Sequence, residues 1–306
     1  MGRVMKFIDL FAGIGGFHLA FHELGGQCVF ASEIDKSARI TYKTNLSKLS
    51  PTLFSSGMYN DDILKITDPK VQIPHFDVLC AGFPCQPFSQ AGYKKGFDEE
   101  KGDRGNMFFH ICSIIEAKRP KAFFLENVRH LLKHDDGRTF RIIQERIQEL
   151  GYTFDYKIVK ASDHGLPQHR ARIFMVGFHK SIDNMPKFDF PEPEPLNMTM
   201  SDVWGGECSR KIGFTLRVGG KGSGLHDRRN WDAYLVDGVE RRLTPVEGKI
   251  MMGFPESFEF PVSNTQAMKQ LGNSVAVNAV KATAKSIINY LDENEHLFNY
   301  QQQMDV

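Results

Sequence analysis

The chain has 306 residues, of which 41% are hydrophobic and 25% charged, and its formal net charge is only +1. These values are typical of a globular enzyme and argue against an intrinsically disordered or fibrous protein. No apolar run reaches the ~18 residues of a membrane-spanning helix, and the first residues lack the apolar core of a signal peptide. The five cysteines are an odd number without CxxC spacing, which argues against a disulfide framework or a zinc site. We therefore expect a cytoplasmic protein with no membrane segment and no metal.

Strand and helix patterns alternate along the first part of the chain, which predicts an α/β fold with crossover helices on a mostly parallel sheet. The predicted strands are Lys6–Phe11, Cys28–Ser32, Phe76–Ala81, Lys121–Leu125, Phe154–Lys160 and Arg172–Phe178. Apolar residues at steps of three and four predict helices after Asn106, over Thr139–Leu150 and from about Ser274 to Leu291.

The first predicted strand ends in DLFAGIGGF (9–17), a glycine-rich turn that opens a helix. The second strand is followed by Glu33, twenty residues after Gly13, and an acid at that distance suits the hydroxyl groups of a bound ribose. The dinucleotide fingerprint needs a third glycine where this chain has His18. The pattern therefore disfavours NAD and favours a nucleoside cofactor without a pyrophosphate. A plain tight turn is the alternative, because a glycine-rich turn alone is a weak signal.

Polar side chains follow three further strands, at the edge where ligands bind in open α/β sheets. Asp62 closes a short strand-like stretch that precedes the predicted strand 76–81. Cys85 lies between Pro84 and Pro87, after strand 76–81, and Glu126 directly follows strand 121–125. The prolines restrict the backbone, so the Cys85 sulfur would be held in place before a substrate arrives. Taken singly, these residues could be a turn acid, a buried thiol and a solvated cap. Their coincidence with a nucleoside-type loop favours a catalytic site.

A change of composition between Met185 and Leu196, with four prolines in PKFDFPEPEP, predicts a domain boundary. Beyond it, the segment Ser209–Trp231 contains six basic residues, one acid and five glycines, so it carries +5 while the rest of the chain sums to −4. A solvated loop and a segment that follows a phosphate backbone both fit this composition. We expect a first domain of residues 1–187, completed by 265–306, and a smaller domain of residues 188–264.

Six stretches together resemble the DNA (cytosine-5)-methyltransferases of bacterial restriction–modification systems, which use S-adenosylmethionine. These are DLFAGIGGF (9–17), GFPCQPFSQAG (82–92), ENV (126–128), QHRARIFMVG (168–177), RRLTPVE (241–247) and QLGNSVAVNAV (270–280). They occur in the family's order and cover nearly the whole chain apart from about 185–240. The resemblance implies a Rossmann-like class I methyltransferase domain with a mixed, mostly parallel sheet and a small target-recognition domain. It also implies sequence-specific methylation of C5 of a flipped-out cytosine in duplex DNA, through a covalent cysteine adduct.

The resemblance assigns a role to each catalytic residue. Cys85 would add to C6 of the cytosine, and Glu126 would stabilise the charge that builds at N3. Arg172 would contact O2 and Arg170 would support the site or a backbone phosphate, although an Arg-x-Arg pair alone also fits a surface strand. The carbonyl of Phe83 would check the 4-amino group. Residues implied in cofactor binding are Phe11, Ala12, Gly13, Gly15, Gly16, Glu33, Ile34, Asp62, Pro84, Asn273 and Ser274.

Basic side chains of the smaller domain are expected to contact DNA. The candidates are Arg217, Arg228 and Arg229 for bases, Lys211 and Lys221 for phosphates, and Arg241 and Arg242 for positioning. Gln86 and Ser89 follow the cysteine and are also expected at the DNA. Residues 86–105 contain four glycines and four basic residues, which predicts a lid that closes over the target base.

Two alternatives to a DNA methyltransferase share part of this sequence pattern. A tRNA cytosine-5 methyltransferase on the same scaffold has Cys-Phe-Thr where this chain has Gly213-Phe214-Thr215. A catalytically silent DNA-binding regulator is disfavoured by the intact Cys85 and Glu126. The expected partner is double-stranded DNA, bound by a monomer, and a cognate restriction endonuclease would act separately.

Overall fold

The computed structural model describes residues 4–84, 107–220 and 222–298. Its centre is a seven-stranded sheet in the order β3-β2-β1-β4-β5-β7-β6, in which β7 runs against its two neighbours. A separate two-stranded sheet joins β8 to β9. The strands are β1 (Lys6–Leu10), β2 (Gln27–Ser32), β3 (Tyr59–Asn60), β4 (Val78–Gly82), β5 (Ala122–Val128), β6 (Asp155–Lys160), β7 (Ala171–Phe178), β8 (Ala233–Val236) and β9 (Val239–Arg242).

Helices cover both faces of the large sheet, which is why the strands at its centre are buried on both sides. The helices are α1 (Gly16–His22), α2 (Lys36–Leu46), α3 (Pro51–Ser55), α4 (Pro69–Gln72), α5 (Met107–Lys118), α6 (Arg138–Glu149), α7 (Met200–Trp204), α8 (Pro245–Met252), α9 (Asn264–Asn273), α10 (Val277–Glu293) and α11 (Glu295–Phe298). Across the described ranges, no helix has both the length and the apolar character that crossing a membrane requires.

The α/β prediction is confirmed, and the six main strands lie within two or three residues of their predicted bounds. The helix predicted over Thr139–Leu150 spans Arg138–Glu149, and its buried residues include Phe140, Ile143 and Ile147. The last long helix starts later than predicted, at Val277, because α9 extends to Asn273 and a short extended segment separates the two.

The direction of β7 decides what lies at the ligand-binding edge of the sheet. Strands β1 to β5 are parallel, so their carboxyl ends meet at one edge. Strand β7 is antiparallel to β5, so its first residues, not its last, lie at this edge. The edge therefore combines strand ends from five elements with the beginning of a sixth.

The predicted domain boundary is packed against the rest of the protein. Phe188, within the proline-rich stretch, is 4% exposed, and its ring lies 5.3 Å from that of Phe178 in β7. The hydroxyl of Tyr290 in α10 donates to the carbonyl of Pro186 at 2.7 Å. One apolar cluster runs from the large sheet to Met200, α8 and the β8–β9 sheet. The division into two domains therefore stays a prediction.

His18, which replaces the third glycine of the dinucleotide fingerprint, has a structural role. Its Nδ1 lies 2.7 Å from the hydroxyl of Tyr42, and its Nε2 lies 2.8 Å from the hydroxyl of Ser50. The ring is completely buried, and burial lowers the pKa of His18 to about 3. The neutral imidazole thus joins α1 to α2 and to the start of α3.

Protonation of His18 should destabilise the fold in acid. Between pH 6.5 and about 3 the unfolded chain binds a proton at this residue and the folded protein does not. The free energy of unfolding should therefore fall by about 1.4 kcal/mol per pH unit from this source as the pH drops below 6.5. Urea unfolding of the wild type and of His18→Gln at several pH values measures the difference. We expect the variant to be less stable near neutral pH but less sensitive to acid.

The control is His22→Gln, which changes a partly exposed histidine one helical turn further along. This variant should keep most of the acid sensitivity of the wild type, because burial is the main cause of the lowered pKa of His18 and the charge of His22 is the smaller one. Equal pH slopes for the wild type and His18→Gln would show that His18 is not the residue responsible.

Candidate active site

Part of the predicted site lies outside the described residues. Cys85, Gln86 and Ser89, the lid of residues 86–105, and Lys221 all fall there. The strand that leads to the cysteine is described as far as Pro84, and its Gly82 pairs with Glu126 of β5. The chain thus enters the predicted nucleophile segment directly beside the predicted catalytic acid.

Glu126 and Arg172 form a buried ion pair at the edge of the sheet. The Arg172 Nε lies 3.0 Å from Oε1 of Glu126, and both side chains are largely shielded from solvent. They meet because β5 and β7 are antiparallel, with Val128 opposite Arg172 in the register. Burial raises the pKa of the Glu126 carboxyl, while the charges of Arg172 and Arg170 act in the opposite direction. Glu126 is therefore protonated more easily than an exposed glutamate, although a cation lies beside it.

Arg170 is 2% exposed and makes its contacts inside the protein. Its Nη2 donates to the carbonyl of Gly272 at 2.9 Å and to that of Ser274, and its Nη1 donates to the carbonyl of Leu216 at 3.3 Å. Of its two predicted roles, this burial favours support of the site over contact with a backbone phosphate.

Asn127 holds the strand end that precedes the cysteine. Its Nδ2 donates to the carbonyl of Phe83 at 2.9 Å, and its Oδ1 accepts the backbone N–H of Val128 at 2.8 Å. These two bonds define the orientation of the amide, because exchange of its nitrogen and oxygen would break both. Asn127 is 3% exposed, so its bond to Phe83 is protected from water. The Phe83 carbonyl keeps a second lone pair for another donor.

The glycine-rich turn is bound to the predicted ribose-binding acid. The backbone N–H of Gly13 donates to Oε2 of Glu33, and that of Asp35 donates to Oε1, both at 2.7 Å. Gly13 and Gly15 have φ of 55° and 90°, which most other residues avoid. A carboxylate has about four lone-pair positions, so two remain at Glu33 for hydroxyl donors.

The other predicted cofactor residues lie around this turn or on neighbouring strand ends. A Cβ at Gly16 would come within 2.6 Å of Val275 and 3.3 Å of the Ser274 hydroxyl, so the turn packs directly against residues 274–275. Ile34 is 68% exposed beyond the end of β2. The Oδ1 atom of Asp62 accepts a hydrogen bond from the backbone N–H of Leu64 at 2.9 Å, and Oδ2 takes no part in this bond. The remaining predicted residues at this edge are Phe11, Ala12, Pro84 and Asn273.

The predicted base-reading segment lines an open cavity of about 520 Å³ between Arg217 and Trp231. Arg217 and Val218 are exposed, and the indole N–H of Trp231 donates to the carbonyl of Gly219 at 3.1 Å. Gly219 and Gly220 both have positive φ, so the chain bends here in a way that glycine favours. The cavity therefore has a basic, glycine-containing side and an aromatic side that Trp231 forms.

Three of the other candidate arginines are engaged locally. Arg229 contacts both carboxylate oxygens of Asp227, at 3.1 and 2.7 Å. Arg242 bonds to Asp232 at 3.2 Å and to Glu240 at 2.8 Å. Arg241 lies 3.7 Å from Asp237, and Arg228 is exposed. Arg242, which joins β9 to the buried Asp232, fits the predicted positioning role.

A family model described as C-5 cytosine-specific DNA methylase matches residues 5–218 and 205–289. The chain belongs to this family, as its motifs indicated. It is 42% identical to Type II methyltransferase M.DsaV of Dactylococcopsis salina, over 96% of this chain and 88% of that protein. It is 34% identical to Type II methyltransferase M.HhaI of Haemophilus parahaemolyticus, over 92% of this chain and 94% of that protein.

Solved structures share the fold at lower sequence identity. A putative DNA modification methyltransferase encoded within a prophage of E. coli superimposes with a TM-score of 0.70 at 21% identity, over 94% of this chain and 99% of that one. A DNMT2 variant from Spodoptera frugiperda also gives a TM-score of 0.70, at 18% identity and over 93% of this chain and 99% of that one. These likenesses confirm the predicted Rossmann-like α/β fold with its mixed, mostly parallel sheet.

Asn127 and Gln168 have no predicted role, although both lie within the family's motifs ENV (126–128) and QHRARIFMVG (168–177). The sequence signal for Asn127 is its position directly after Glu126, at the end of a predicted strand. Gln168 is completely buried and bonded at both ends of its amide. A single amide residue has no spacing pattern, so its partners become visible only in three dimensions.

Loss of the Asn127 amide should impair methyl transfer as well as stability. Asn127→Ala removes the donor to Phe83 and leaves that carbonyl free to turn away from the site. We expect the free energy of unfolding to fall by about 1–3 kcal/mol. We also expect methyl transfer to DNA to slow at least tenfold, measured with saturating methyl donor.

Asn45→Ala is the matched control. Asn45 also bridges distant backbone, since it exchanges two 2.8 Å bonds with Glu259, but it lies on α2, away from Glu126. It should lose stability and keep its rate. If both variants lose activity only in proportion to stability, Asn127 does not orient Phe83.

Proposed function

We propose that this member of the C-5 cytosine-specific DNA methylase family transfers a methyl group from S-adenosylmethionine to C5 of a flipped-out cytosine in duplex DNA. The observation that carries the proposal is the Glu126–Arg172 pair, located beside the strand end that leads to Cys85. The glycine turn and Glu33 lie at the same edge of the sheet. We further propose that the protein acts as a cytoplasmic monomer, and that any cognate restriction endonuclease acts separately.

The donor set at the glycine turn fits S-adenosylmethionine. Among the described residues, none comes within 4 Å of a Cβ position at Gly13, so the backbone has open space beside it. Glu33 would accept hydrogen bonds from the ribose hydroxyls, Ile34 would cover one face of the adenine, and Asp62 would accept its amino group. When bound, the cofactor supplies an electrophilic methyl group on a positively charged sulfur. The absence of a pyrophosphate fits the sequence of the turn, in which His18 stands at the third glycine position.

The chemistry requires activation of C5, which is a poor nucleophile in cytosine. The Cys85 thiolate forms a bond to C6 and moves an electron pair into the ring, so that C5 becomes nucleophilic. The activated C5 would then accept the methyl group that the bound cofactor supplies, and the sulfur–methyl bond would break with its electron pair left on sulfur. A base removes the proton from C5, the C5–C6 double bond re-forms, and the thiolate leaves.

Glu126 and Arg172 would stabilise the ring while the cysteine is attached. The raised pKa of Glu126 supports a carboxyl that donates a hydrogen bond to N3, where negative charge builds. Arg172 would bind O2 and hold Glu126 in place through its Nε. The carbonyl of Phe83 would accept a hydrogen bond from the 4-amino group, which thymine lacks.

These groups cannot reach a cytosine that is stacked in a duplex, so the base must leave the helix at a cost of a few kcal/mol. The basic segment Ser209–Trp231 would offset part of that cost through phosphate contacts. Arg217, Arg228 and Arg229 remain our candidates for base contacts, with Arg241 and Arg242 in support. Lys221, Gln86 and Ser89 are further proposed DNA contacts outside the described residues.

The packing around Gly213 argues against the tRNA alternative. A Cβ at this position would lie 2.7 Å from the sulfur of Met200, 2.8 Å from Met251 and 2.9 Å from the hydroxyl of Tyr234. A cysteine there, as in the Cys-Phe-Thr tripeptide of that family, would require these neighbours to move. Parallel methylation assays on duplex DNA and on tRNA separate the two substrates.

A covalent adduct at Cys85 is the first expected outcome. Fluorine at C5 cannot leave as a proton does, so duplex DNA with 5-fluorocytosine at the target should trap the enzyme when the methyl donor is present. Denaturing electrophoresis detects the complex. Cys85→Ala should form none and should still bind DNA, whereas Cys208→Ala, which changes a partly exposed thiol outside the predicted site, should trap normally. A wild-type enzyme that methylates this DNA without a stable complex would contradict the mechanism.

Replacement of the catalytic acid should affect turnover far more than binding. Glu126→Gln keeps the size of the side chain but replaces a carboxyl group, which can gain and lose a proton, with an amide, which cannot. We expect turnover to fall at least about 100-fold, with DNA affinity changed only a few-fold. Glu149→Gln breaks a surface ion pair of the same length, 3.0 Å to Arg146, and should leave turnover unchanged. Equal losses of affinity and rate in Glu126→Gln would remove Glu126 from this role.

A further inference from the structure

Residues 213–216 run beside residues 167–170, the segment that leads into β7. The backbone N–H of Gly213 donates to the carbonyl of Pro167 at 2.9 Å, and that of His169 donates to the carbonyl of Gly213 at 3.2 Å. The two segments are parallel at this point. The basic segment is thus docked on the chain that carries Arg172.

Side chains continue this docking at Leu216. The N–H of Leu216 donates to Oε1 of Gln168 at 2.9 Å, and its carbonyl accepts from Nη1 of Arg170 at 3.3 Å. Both backbone polar groups of one residue are therefore held by side chains two positions apart. Gln168 and Arg170 are 0% and 2% exposed, so water does not compete for these bonds.

The orientation of Gln168 is determined by its other contacts. Its Nε2 donates to the carbonyl of Met251 at 3.0 Å and lies 3.2 Å from the sulfur of Met252, both in α8. The amide cannot turn without leaving a buried donor and a buried acceptor unpaired. The position of Leu216 along the direction of β7 is therefore fixed.

Gly272, near the end of α9, packs against the backbone that directly follows Leu216. A Cβ at Gly272 would lie 2.8 Å from the carbonyl carbon and oxygen of Arg217 and 3.0 Å from the nitrogen of Val218. Only glycine allows this approach without a shift of backbone. The carbonyl of Gly272 also accepts from Arg170.

The solvent exposure of the chain changes immediately after Leu216. Leu216 is 1% exposed, whereas residues 217–220 are all exposed. Leu216 is thus the last buried residue before the exposed segment that begins with Arg217, and side chains bind both of its backbone polar groups.

We infer that Gln168 is a positioning residue for sequence recognition, which sets the register of the exposed segment 217–220 relative to Arg172 and Glu126. The inference rests on the proposed function, because it concerns how that reaction selects its site. Gln168 and Arg172 lie four residues apart on one continuous segment, so a displacement of Leu216 moves the base-reading side chains relative to the catalytic groups. Small displacements of this kind weaken discrimination strongly when contacts depend on geometry.

The test uses Gln168→Met, which keeps the volume of the side chain and removes both hydrogen-bonding groups. The preferred site is first identified by bisulfite sequencing of DNA methylated by the wild type. The ratio of kcat/KM on a duplex with that site to kcat/KM on a duplex with one base pair changed is then measured. We expect the ratio to fall about tenfold in Gln168→Met. A merely structural role would reduce both values together and leave the ratio intact, and that result would overturn the inference.

Gln270→Met is the matched control. Gln270 is also buried and bonds through its Oε1 to the hydroxyl of Thr41 at 2.9 Å, so its loss should cost stability. The Leu216 backbone is bound by Gln168 and Arg170 and the Gln270 amide by Thr41, so the ratio should remain that of the wild type. Thermal unfolding of both variants separates loss of fold from loss of discrimination.

Hydrogen exchange in the wild type tests the geometry even if Gln168→Met does not fold. The Leu216 amide should exchange at least about 100-fold more slowly than the amides of residues 217–220. Equal exchange rates would overturn the inference. Failure of the proposed function gives a different result, since the wild type would then methylate no DNA while Leu216 remained protected.

Discussion

The buried ion pair between Glu126 and Arg172 is the interaction on which the rest of the site depends. Removing either partner would leave a charge in the interior without compensation, which is far more costly than losing a surface ion pair. The pair exists because β7 is antiparallel to β5, which places the beginning of one strand at the end of the other. The same edge of the sheet holds the glycine turn, Glu33 and the strand end that precedes Cys85. One reversal of strand direction therefore assembles the groups that the proposed reaction needs.

Three side chains at alternate positions connect this edge of the sheet to distant parts of the chain. They belong to Gln168, Arg170 and Arg172. Arg172 contacts β5, Arg170 contacts residues 216, 272 and 274, and Gln168 contacts residues 216, 251 and 252. Extended chain turns successive side chains to opposite sides, so a spacing of two can direct several groups to one side. The Arg-x-Arg pair that alone would fit a surface strand thus belongs to the interior. The segments proposed for cofactor binding, catalysis and recognition therefore all contact the short stretch 168–172.

Much of the fold and part of the site can be predicted from the sequence, for physical reasons. Buried strands such as β4 are short apolar runs, and α6 repeats its apolar residues with the helical period, so both are local patterns. Glu33 and Glu126 can be found because each lies at the end of such a strand. Which residues the arginines contact cannot be predicted this way, since Arg229 with Asp227 and Arg242 with Asp232 depend on loop geometry. The strand-end position of Asn127 does not reveal its partner, because the Phe83 carbonyl that it binds lies 44 residues away in the sequence.

The distribution of burial suits the proposed combination of exact chemistry with recognition of a deformable duplex. Glu126, Arg172 and Asn127 are buried and hydrogen-bonded, so no reorganisation of these groups is needed when the base arrives. Residues 217–220 are exposed and include two glycines with positive φ, so they can follow a duplex whose backbone is distorted by extrusion of a base. Flexibility in the recognition segment is tolerable only if its origin is fixed relative to the catalytic groups. The buried Leu216 peptide meets that condition, because both of its polar groups are bound by the segment that carries Arg172.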